Sequence, residues 1–340
     1  MVSRIQIGFF AIAVVLLFVA NLVYGSVDIP TNEVFSILMG NETTKTSWQF
    51  IVTQSRLPQA VTAMLCGASL AASGLLLQTY FHNPLAGPSI LGITNGAALG
   101  VAIVMLVTGG VIVSPTAGDS GLQLVGHVAV VVAAFGGAMV VIALLLFITK
   151  FVKSNLAILI LGIMVGYLTS SVVSLCNFFA SADSVHTYVN WGMGSFSNVS
   201  LSQLPLFCGF CLAGLLIATL LIKPLNGMLL GEHYAMNLGF NIQYTRMMIL
   251  ISTGVLTAVT TAFCGPVAFI GLAVPHIARL ITKEADHRVL LPATTLIGAA
   301  IALLCNLICV MPQNLIIPLN AVTPIFGAPV IIYIILKKQF

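Results

Sequence analysis

The sequence predicts an all-α polytopic membrane protein with ten transmembrane helices, and three observations lead to this prediction. The chain is nearly free of charge, it carries repeated long apolar runs, and its basic residues fall on one side of those runs. Charged residues make up 6% of the 340 residues, against roughly a quarter in soluble domains. Hydrophobic residues make up 59%. This composition excludes a disordered chain, a secreted disulfide scaffold and a basic nucleic-acid-binding protein.

Apolar runs of membrane-spanning length recur along the whole chain. A bilayer core of about 30 Å requires about 20 apolar residues in a helix. Ten runs approach this length, at 7–24, 58–80, 88–108, 124–149, 155–178, 204–222, 247–264, 267–281, 290–310 and 322–336. We therefore treat 1–340 as one transmembrane domain. The first run also has features of a signal peptide, but it is long for that role, and we expect a retained span.

The eighth run, 267–281, is the shortest and carries His276 and Arg279 near its end. It is nevertheless separate from the seventh, because one helix over 247–281 would be about 52 Å long. Cys264-Gly265-Pro266 marks the break between them, since proline removes a backbone donor and clashes with the preceding turn.

The distribution of basic residues sets the predicted orientation. An even number of spans places both termini on one side, and basic loops favour the cytoplasm. Ten of the 12 Lys and Arg residues fall on that side: Arg4, Lys150, Lys153, Lys223, Arg246, Arg279, Lys283, Arg288, Lys337 and Lys338. Only Lys45 and Arg56 fall on the other side. We therefore expect both termini to be cytoplasmic.

Two arginines mark a predicted inverted repeat. Arg56 precedes the second run and Arg246 precedes the seventh, and each is followed by a proline-marked turn, at 83–84 and at 274–275. The second and seventh spans run in opposite directions, so the two halves would be inverted, as in many transporters.

The largest inner segment, 223–246, contains more apolar residues than a loop facing only water would need. Helical spacing over 232–239 predicts a short helix. That helix either fits a groove on a cytoplasmic partner or lies on the membrane surface, and composition alone leaves both open.

The spans lack the residues of an enzyme or an ion-coupled pump. Nine runs contain no Asp, Glu, Lys or Arg, and the eighth contains only Arg279. Proton-coupled carriers normally keep titratable groups at mid-membrane, although a sodium site built from carbonyl and hydroxyl oxygens stays open. No H-E-x-x-H or G-x-S-x-G motif is present, and the seven cysteines lie in or beside apolar runs. We expect no enzyme activity, no metal and no cofactor, with energy supplied by a separate ATPase.

Several long stretches resemble one known family. They are RLPQAVTAMLCGASLAASGLLLQTYFHNPLAGPSILGITNGAALG (56–100), LGEHYAMNLGFN (230–241), GPVAFIGLAVPHIARLITKEADHRVLLP (265–292) and NAVTPIFGAPVIIYIILKK (320–338). These closely resemble the permease subunits of ABC importers for iron complexes and cobalamin, the FecCD-type family. The likeness extends over roughly 50–338. It implies the ten-span type II ABC importer permease fold in a bacterial cytoplasmic (inner) membrane.

The resemblance also implies roles for particular residues. Coupling to the ATPase is assigned to Gly231, Glu232, Ala235, Leu238 and Gly239. A cytoplasmic gate is assigned to Asn83, Pro84 and Leu85, with Ser154 and Asn155 at a second constriction. Arg56 would receive an acidic residue of the binding protein, or else serve as a snorkelling arginine at a helix end. The chain departs from the family pattern at Gln59 and Ile316, where many members carry an arginine and an acid.

The implied assembly pairs this permease with a second protomer, identical or different, and with two ABC ATPase subunits. A periplasmic or lipid-anchored substrate-binding protein would dock on the outer face. Membrane lipid would surround the spans, and we expect no nucleic-acid partner. We expect alternating access along a pathway lined by the fifth span, the tenth span and segment 180–203. The expected cargo is a ferric siderophore or haem-type iron complex. Cobalamin is the alternative cargo, and a stand-alone secondary carrier or channel is the alternative from another class.

Overall fold

The computed structural model describes residues 2–40, 45–107, 120–152, 154–311 and 317–338. Within these ranges the chain is helical and contains no strand. The helices are α1 (Val2–Val23), α2 (Thr31–Leu38), α3 (Thr46–Phe50), α4 (Leu57–Tyr80), α5 (Ile93–Ala102), α6 (Ser120–Ile148), α7 (Asn155–Phe179), α8 (Ala182–Gly192), α9 (Leu204–Leu220), α10 (Ile222–Met228), α11 (Glu232–Asn237), α12 (Ile242–Cys264), α13 (Ile270–Thr282), α14 (His287–Val310) and α15 (Leu319–Lys338). Short π-helical stretches lie at Ile51–Arg56 and Ile103–Val107.

Each predicted apolar run corresponds to a helix, but not every helix is long enough to cross a membrane. In the described residues, six are long and apolar enough: α1, the continuous helix Thr46–Tyr80 that includes α4, α6, α7, α12 and α14. A seventh span is present if α9 and α10, which meet at a 49° bend, are one. Three shorter apolar helices cover the remaining runs, at Ile93–Val107, Ile270–Thr282 and Leu319–Tyr333. The predicted count of ten spans is therefore not confirmed.

The predicted break between the seventh and eighth runs is confirmed. Helix α12 ends at Cys264, Gly265 takes a φ of 76°, and α13 begins at Ile270. The expected turn at 274–275 is wrong, because Pro275 lies inside α13, which continues to Thr282. The proline that ends the helical run is Pro266, so this marker of the inverted repeat does not hold.

Helix packing nevertheless has the pattern that an inverted repeat requires. Helix α4 packs against α12, α13 and α14, while α12 packs against α4, α5 and α6. Helix α5 packs against α6 and α7 as α13 packs against α14 and α15. If α4, α5, α6 and α7 are exchanged with α12, α13, α14 and α15 in that order, each of these helix contacts becomes another contact of the same set.

Small residues bring the helices of the first half close together. Gly96 of α5 faces Gly137 of α6, and a Cβ added at Gly137 would lie 2.1 Å from the Gly96 carbonyl oxygen. The glycine spacing at 92, 96 and 100 therefore serves close backbone approach. Helices α4 and α12 are the most buried of the long helices, while α1, α6 and α7 lie at the periphery.

Hydrogen bonds define two opposite ends of the helix bundle. At one end, which we call the α11 end, Gln6 of α1 donates to the carbonyl of Ile281 (3.3 Å). At the other, the α8 end, Asn320 at the start of α15 donates to the carbonyls of Gly192 (3.0 Å) and Pro266 (2.6 Å). Helices α1 and α15 thus begin at opposite ends, as an even number of spans requires. The cytoplasmic assignment of the termini stays a prediction.

Candidate functional site

The short helix predicted in the inner segment is present as α11, and glycines bound it on both sides. Gly231 has a φ of 105° and Gly239 a φ of 86°, values that favour glycine over residues with a Cβ. After α11, the amide of Phe240 bonds to the carbonyl of Ala235 (3.1 Å) and that of Gly239 to Met236 (2.9 Å). This is a Schellman motif, which closes the helix and turns the chain toward α12.

One face of α11 is buried and the other is exposed and apolar. Ala235 is fully buried, and Gly227 of α10 lies beside it. The opposite side presents large side chains to the surroundings, which together we call the α11 surface: Leu230, Tyr234, Met236 and Leu238. Contiguous exposed apolar side chains in such a place are typical of a contact surface.

Glu232 begins α11 and faces a cavity of about 560 Å³. A carboxylate at this position is favoured by the partial positive charge of a helix N-terminus. Its Oε1 lies 3.9 Å from Nη2 of Arg246 in α12. One side of the cavity is formed by α11 and the start of α12. The other side is formed by the α6–α7 turn at Thr149 and Lys150.

The predicted gate segment follows α4 at this same end. Helix α4 is closed by a second Schellman motif, in which Asn83 N bonds to Gln78 O (3.2 Å) and His82 N to Thr79 O (3.3 Å). His82 occupies the left-handed position with a φ of 48°, where glycine is usual. The side chain of Asn83 then accepts a hydrogen bond from Leu85 N (2.9 Å), a local turn that asparagine commonly forms.

Helix α13 holds the gate segment from the side. Nε2 of His276 donates to the carbonyl oxygen of Pro84 over 2.6 Å. Leu85 beside it is 43% exposed. The turn is thus anchored through its backbone, while its leucine projects outward.

The second predicted constriction lies at the start of α7. The hydroxyl of Ser154 accepts a hydrogen bond from Ala157 N (3.4 Å), so Ser154 caps this helix. Asn155 is the first residue of α7, and its side chain lies outside the described part of the chain. Because Thr149 and Lys150 line the cavity, this turn lies on the same side of the molecule as α11.

Buried polar contacts join α10 to the gate end of α4, and the sequence did not indicate them. Nε2 of His82 lies 3.1 Å from the carbonyl of Met228, at the end of α10. Asn226 of α10 accepts from the backbone N (2.9 Å) and Nδ1 (2.8 Å) of His287. Nε2 of His287 lies 2.9 Å from the hydroxyl of Thr79 in the last turn of α4. Because Asn226 Oδ1 can only accept, Nδ1 carries the proton. Nε2 faces the Thr79 hydroxyl, which also lies 2.9 Å from the Leu75 carbonyl as its donor.

Asp286 completes this cluster as the N-cap of α14. Its carboxylate accepts from the backbone N of Arg288 (2.8 Å) and from Nδ2 of Asn226 (2.5 Å). The pKa of Asp286 lies below its usual value, chiefly because of the bond from Arg288 N and further because of Asn226 and the Arg288 charge. The carboxylate form thus fixes α10 against the start of α14.

Arg56 lies at the α8 end, and its side chain is 5% exposed. Its guanidinium donates to the carbonyls of Leu22 (2.9 Å), Val23 (2.6 Å) and Val27. These are carbonyls in and after the last turn of α1, which lack partners within the helix. Gly25 leaves room for the guanidinium, since a Cβ there would lie 2.9 Å from its Nε. In this structure Arg56 therefore packs as an internal cap.

The family departure at Gln59 also falls at the α8 end. Nε2 of Gln59 donates to Asn306 (3.0 Å), whose amide in turn donates to Asn21 (2.8 Å). Gln59 thus joins α4 to α14 and α1 and serves an internal role. Ile316 lies outside the described residues.

The residues that sequence reasoning missed share one signal. His82, Asn226, Arg246 and His287 are polar residues at or beside helix ends, in a chain with few charges. Such residues are costly in or near a membrane, and each is held by partners from another helix. In the described ranges, no group of three or more His, Cys, Asp and Glu side chains is arranged to hold a metal ion.

Comparisons with known proteins agree with this architecture. Residues 13–337 match the model of the FecCD transport family. The vitamin B12 import system permease protein BtuC of Klebsiella pneumoniae subsp. pneumoniae is 33% identical over 299 residues, which are 86% of this chain and 84% of that protein. BtuC of Salmonella paratyphi A is 33% identical over 298 residues, 85% of each chain.

A solved structure shares the whole fold. It is described as an inward-facing conformation of a metal-chelate type ABC transporter, with a TM-score of 0.83 and 28% sequence identity. The match covers 98% of this chain and 99% of that one. The chain therefore belongs to the FecCD transport family and is a multi-pass membrane permease of the ABC importer class rather than an enzyme.

Proposed function

We propose that this permease carries a bulky metal chelate across the inner membrane into the cytoplasm. A ferric siderophore or haem-type iron complex is the first candidate, and the family and the metal-chelate type of the structural neighbour support it. Cobalamin is the second candidate, and it is supported as strongly because the two BtuC relatives are permeases of vitamin B12 import systems. The stand-alone carrier is the weaker alternative, since the structural neighbour is an ABC transporter.

The observation that carries the proposal is the α11 surface. The glycine-bounded helix α11 and the residues beside it present Leu230, Tyr234, Met236 and Leu238 outward at one end of the bundle. An amphipathic helix of this kind fits a groove on a partner protein. We propose that the groove belongs to an ABC ATPase subunit, with Gly231, Glu232, Ala235, Leu238 and Gly239 as the coupling residues.

The gate would lie at the same end. Asn83, Pro84 and Leu85 form one element, and Ser154 with Asn155 forms the other. Leu85 projects from a turn whose backbone is anchored by His276. When the ATPase subunits bind ATP and close on each other, α11 would move with them. This movement would displace the gate turns and open the pathway toward the cytoplasm.

The pathway and the second protomer would use the outer helices. Helix α7 exposes large apolar side chains along most of its length, including Tyr167, Leu168, Leu175, Phe178 and Phe179. Helix α15 also exposes Ile325 and Tyr333. We propose that these two helices, with 180–203, line a central pathway between two permease protomers, either identical or different.

The substrate-binding protein would dock at the α8 end. Arg56 stays our candidate for receiving an acidic side chain there. Because its guanidinium is buried and bonded to carbonyls around the end of α1, docking would have to draw it out of these bonds. An ion pair formed in this way at the surface would contribute mainly to register and association rate.

Reconstitution tests the function directly. The permease is placed in liposomes with its ATPase and binding protein, and uptake of radiolabelled ferrichrome, haemin and cyanocobalamin is measured with and without internal ATP. We expect ATP-dependent uptake of one of these probes. Uptake by the permease alone, driven by an ion gradient, would overturn the importer assignment, and the preferred probe decides between iron complex and cobalamin.

A further inference from the structure

Arg246 lies near the start of α12, and its side chain is only 8% exposed. A buried guanidinium at the end of a membrane helix is costly unless it is paired. Its described contacts reach three other parts of the α11 end. One of these parts is the proposed coupling helix, and the other two lead directly into the proposed gate turns.

The first contact is with α11 itself. Nη2 of Arg246 lies 3.9 Å from Oε1 of Glu232, which is the first residue of that helix. Glu232 is 35% exposed, so this ion pair joins an internal cation to a residue at the partner-facing segment.

The second contact is with the last residue of α4. The guanidinium carbon of Arg246 lies 5.6 Å from the centre of the Tyr80 ring, within the range of a cation–π interaction. Tyr80 is fully buried and lies three residues before Asn83. Arg246 therefore touches the base of the first gate turn.

The third contact is with the α6–α7 turn. Nη1 of Arg246 donates to the carbonyl of Val152 over 3.4 Å. Val152 lies two residues before Ser154, at the second proposed gate. One planar cation thus touches α11, the helix that leads into the first gate, and the turn that leads into the second.

We propose that Arg246 is a positioning residue that links α11 to both gate turns, so that a displacement of α11 moves them together. This inference rests on the proposed function. Arginine suits the position because its planar fork can stack on a ring and donate in several directions at once, whereas lysine presents a single point charge. The contacts are contiguous and mostly buried, which is the physical condition for coupling between two sites.

Hydrogen–deuterium exchange on the purified permease tests the link without any transport measurement. We expect Arg246→Gln to increase amide exchange at both 79–86 and 149–152. Lys283→Gln is the matched control, because Lys283 is an exposed basic residue at the same end, after the end of α13, and it should leave both segments unchanged. Unchanged exchange at both segments in Arg246→Gln, or equal changes in the control, would overturn the inference.

Reconstituted complexes test whether the link couples ATP hydrolysis to transport. We expect Arg246→Gln to lower transport per ATP hydrolysed by about 2- to 30-fold, the range typical of residues in a coupling network, while Lys283→Gln keeps the wild-type ratio. Arg246→Lys should recover part of the ratio by restoring the charge near Glu232. A wild-type ratio in Arg246→Gln, or full recovery by lysine, would contradict the proposed role.

Two further outcomes separate the hypotheses. If Arg246→Gln does not fold, Arg246→Lys keeps a cation near Glu232 but loses the planar fork and should raise exchange at 79–86 and 149–152; no rise at either segment would overturn the link. If the wild-type complex itself fails to transport with ATP, the proposed function fails, while the exchange result still decides whether Arg246 links the three elements.

Discussion

The Nε2 atom of His82 lies 3.1 Å from the carbonyl oxygen of Met228, so the turn after α4 is tied to the end of α10. His82 is also a non-glycine residue in the left-handed region, with a φ of 48°. The side chain of His82 therefore connects the turn after α4 to α10, whereas its backbone conformation costs about 1–3 kcal/mol of strain.

The first prediction separates these two effects. His82→Gly removes the bond to Met228 but relieves the backbone, because glycine adopts positive φ readily. We expect its folding stability to change little and its transport per ATP to fall. His82→Ala also removes the bond but keeps the strain, so its thermal midpoint should lie below that of His82→Gly. Wild-type transport per ATP in His82→Gly would show that the bond has no role in coupling.

The second prediction concerns the buried cluster around Asn226. Asn226→Ala leaves the backbone N and Nδ1 of His287 without their acceptor. Unsatisfied buried polar groups cost about 1–3 kcal/mol each. We therefore expect a clear loss of thermal stability in detergent or nanodiscs. The control is Asn237→Ala, an exposed asparagine on the neighbouring α11, which should stay close to wild type; equal losses in both variants would contradict the prediction.

The third prediction is a pH dependence at Asp286. Its pKa in the folded protein lies below the usual value, chiefly because Arg288 N bonds to the carboxylate. The stabilisation is therefore present above the pKa of the unfolded chain, about 3.9, and is lost as the pH falls through the folded pKa. Asp286→Asn keeps a capping side chain but no charge. We expect the stability difference between wild type and Asp286→Asn to shrink below about pH 4; a difference independent of pH would exclude this role for the charge.

The fourth prediction concerns the glycine that ends α11. Gly239 has a φ of 86°, and a Cβ added there would meet no atom within 4 Å, so Gly239→Ala introduces strain without a clash. We expect ATPase stimulation by the permease to fall, because the strained turn shifts α11. Gly209→Ala also meets open space, but Gly209 has an ordinary helical backbone, and its stimulation should be unchanged. Normal stimulation in Gly239→Ala would count against α11 as the coupling helix.

Local patterns allowed some of these features to be predicted from the sequence. Gly231 and Gly239 bracket an apolar stretch of helical spacing, and α11 lies between them as expected. The break before α13 follows from Gly265-Pro266 by the same local chemistry. The turn predicted at 274–275 is wrong because a proline does not by itself end a helix, and α13 continues through Pro275 to Thr282. The contacts of His82, Asn226 and Arg246 join residues far apart in the chain, so no local pattern could indicate them.

The last prediction separates the two roles of Arg56. Its bonds to carbonyls around the end of α1 indicate a structural role, and hydrogen bonds from charged groups contribute about 1.5–3 kcal/mol. Arg56→Ala should therefore lower the thermal midpoint of the isolated permease, and Arg56→Lys should recover only part of it because one ammonium cannot reach three carbonyls in the same geometry. Docking has a different signature, since a steering charge changes the association rate in a salt-dependent way. If Arg56 receives an acid of the binding protein, Arg56→Lys will keep much of the low-salt association rate while Arg56→Ala loses it. Equal association rates for wild type and both variants at low salt would leave Arg56 as the cap of α1 and exclude it as the docking residue.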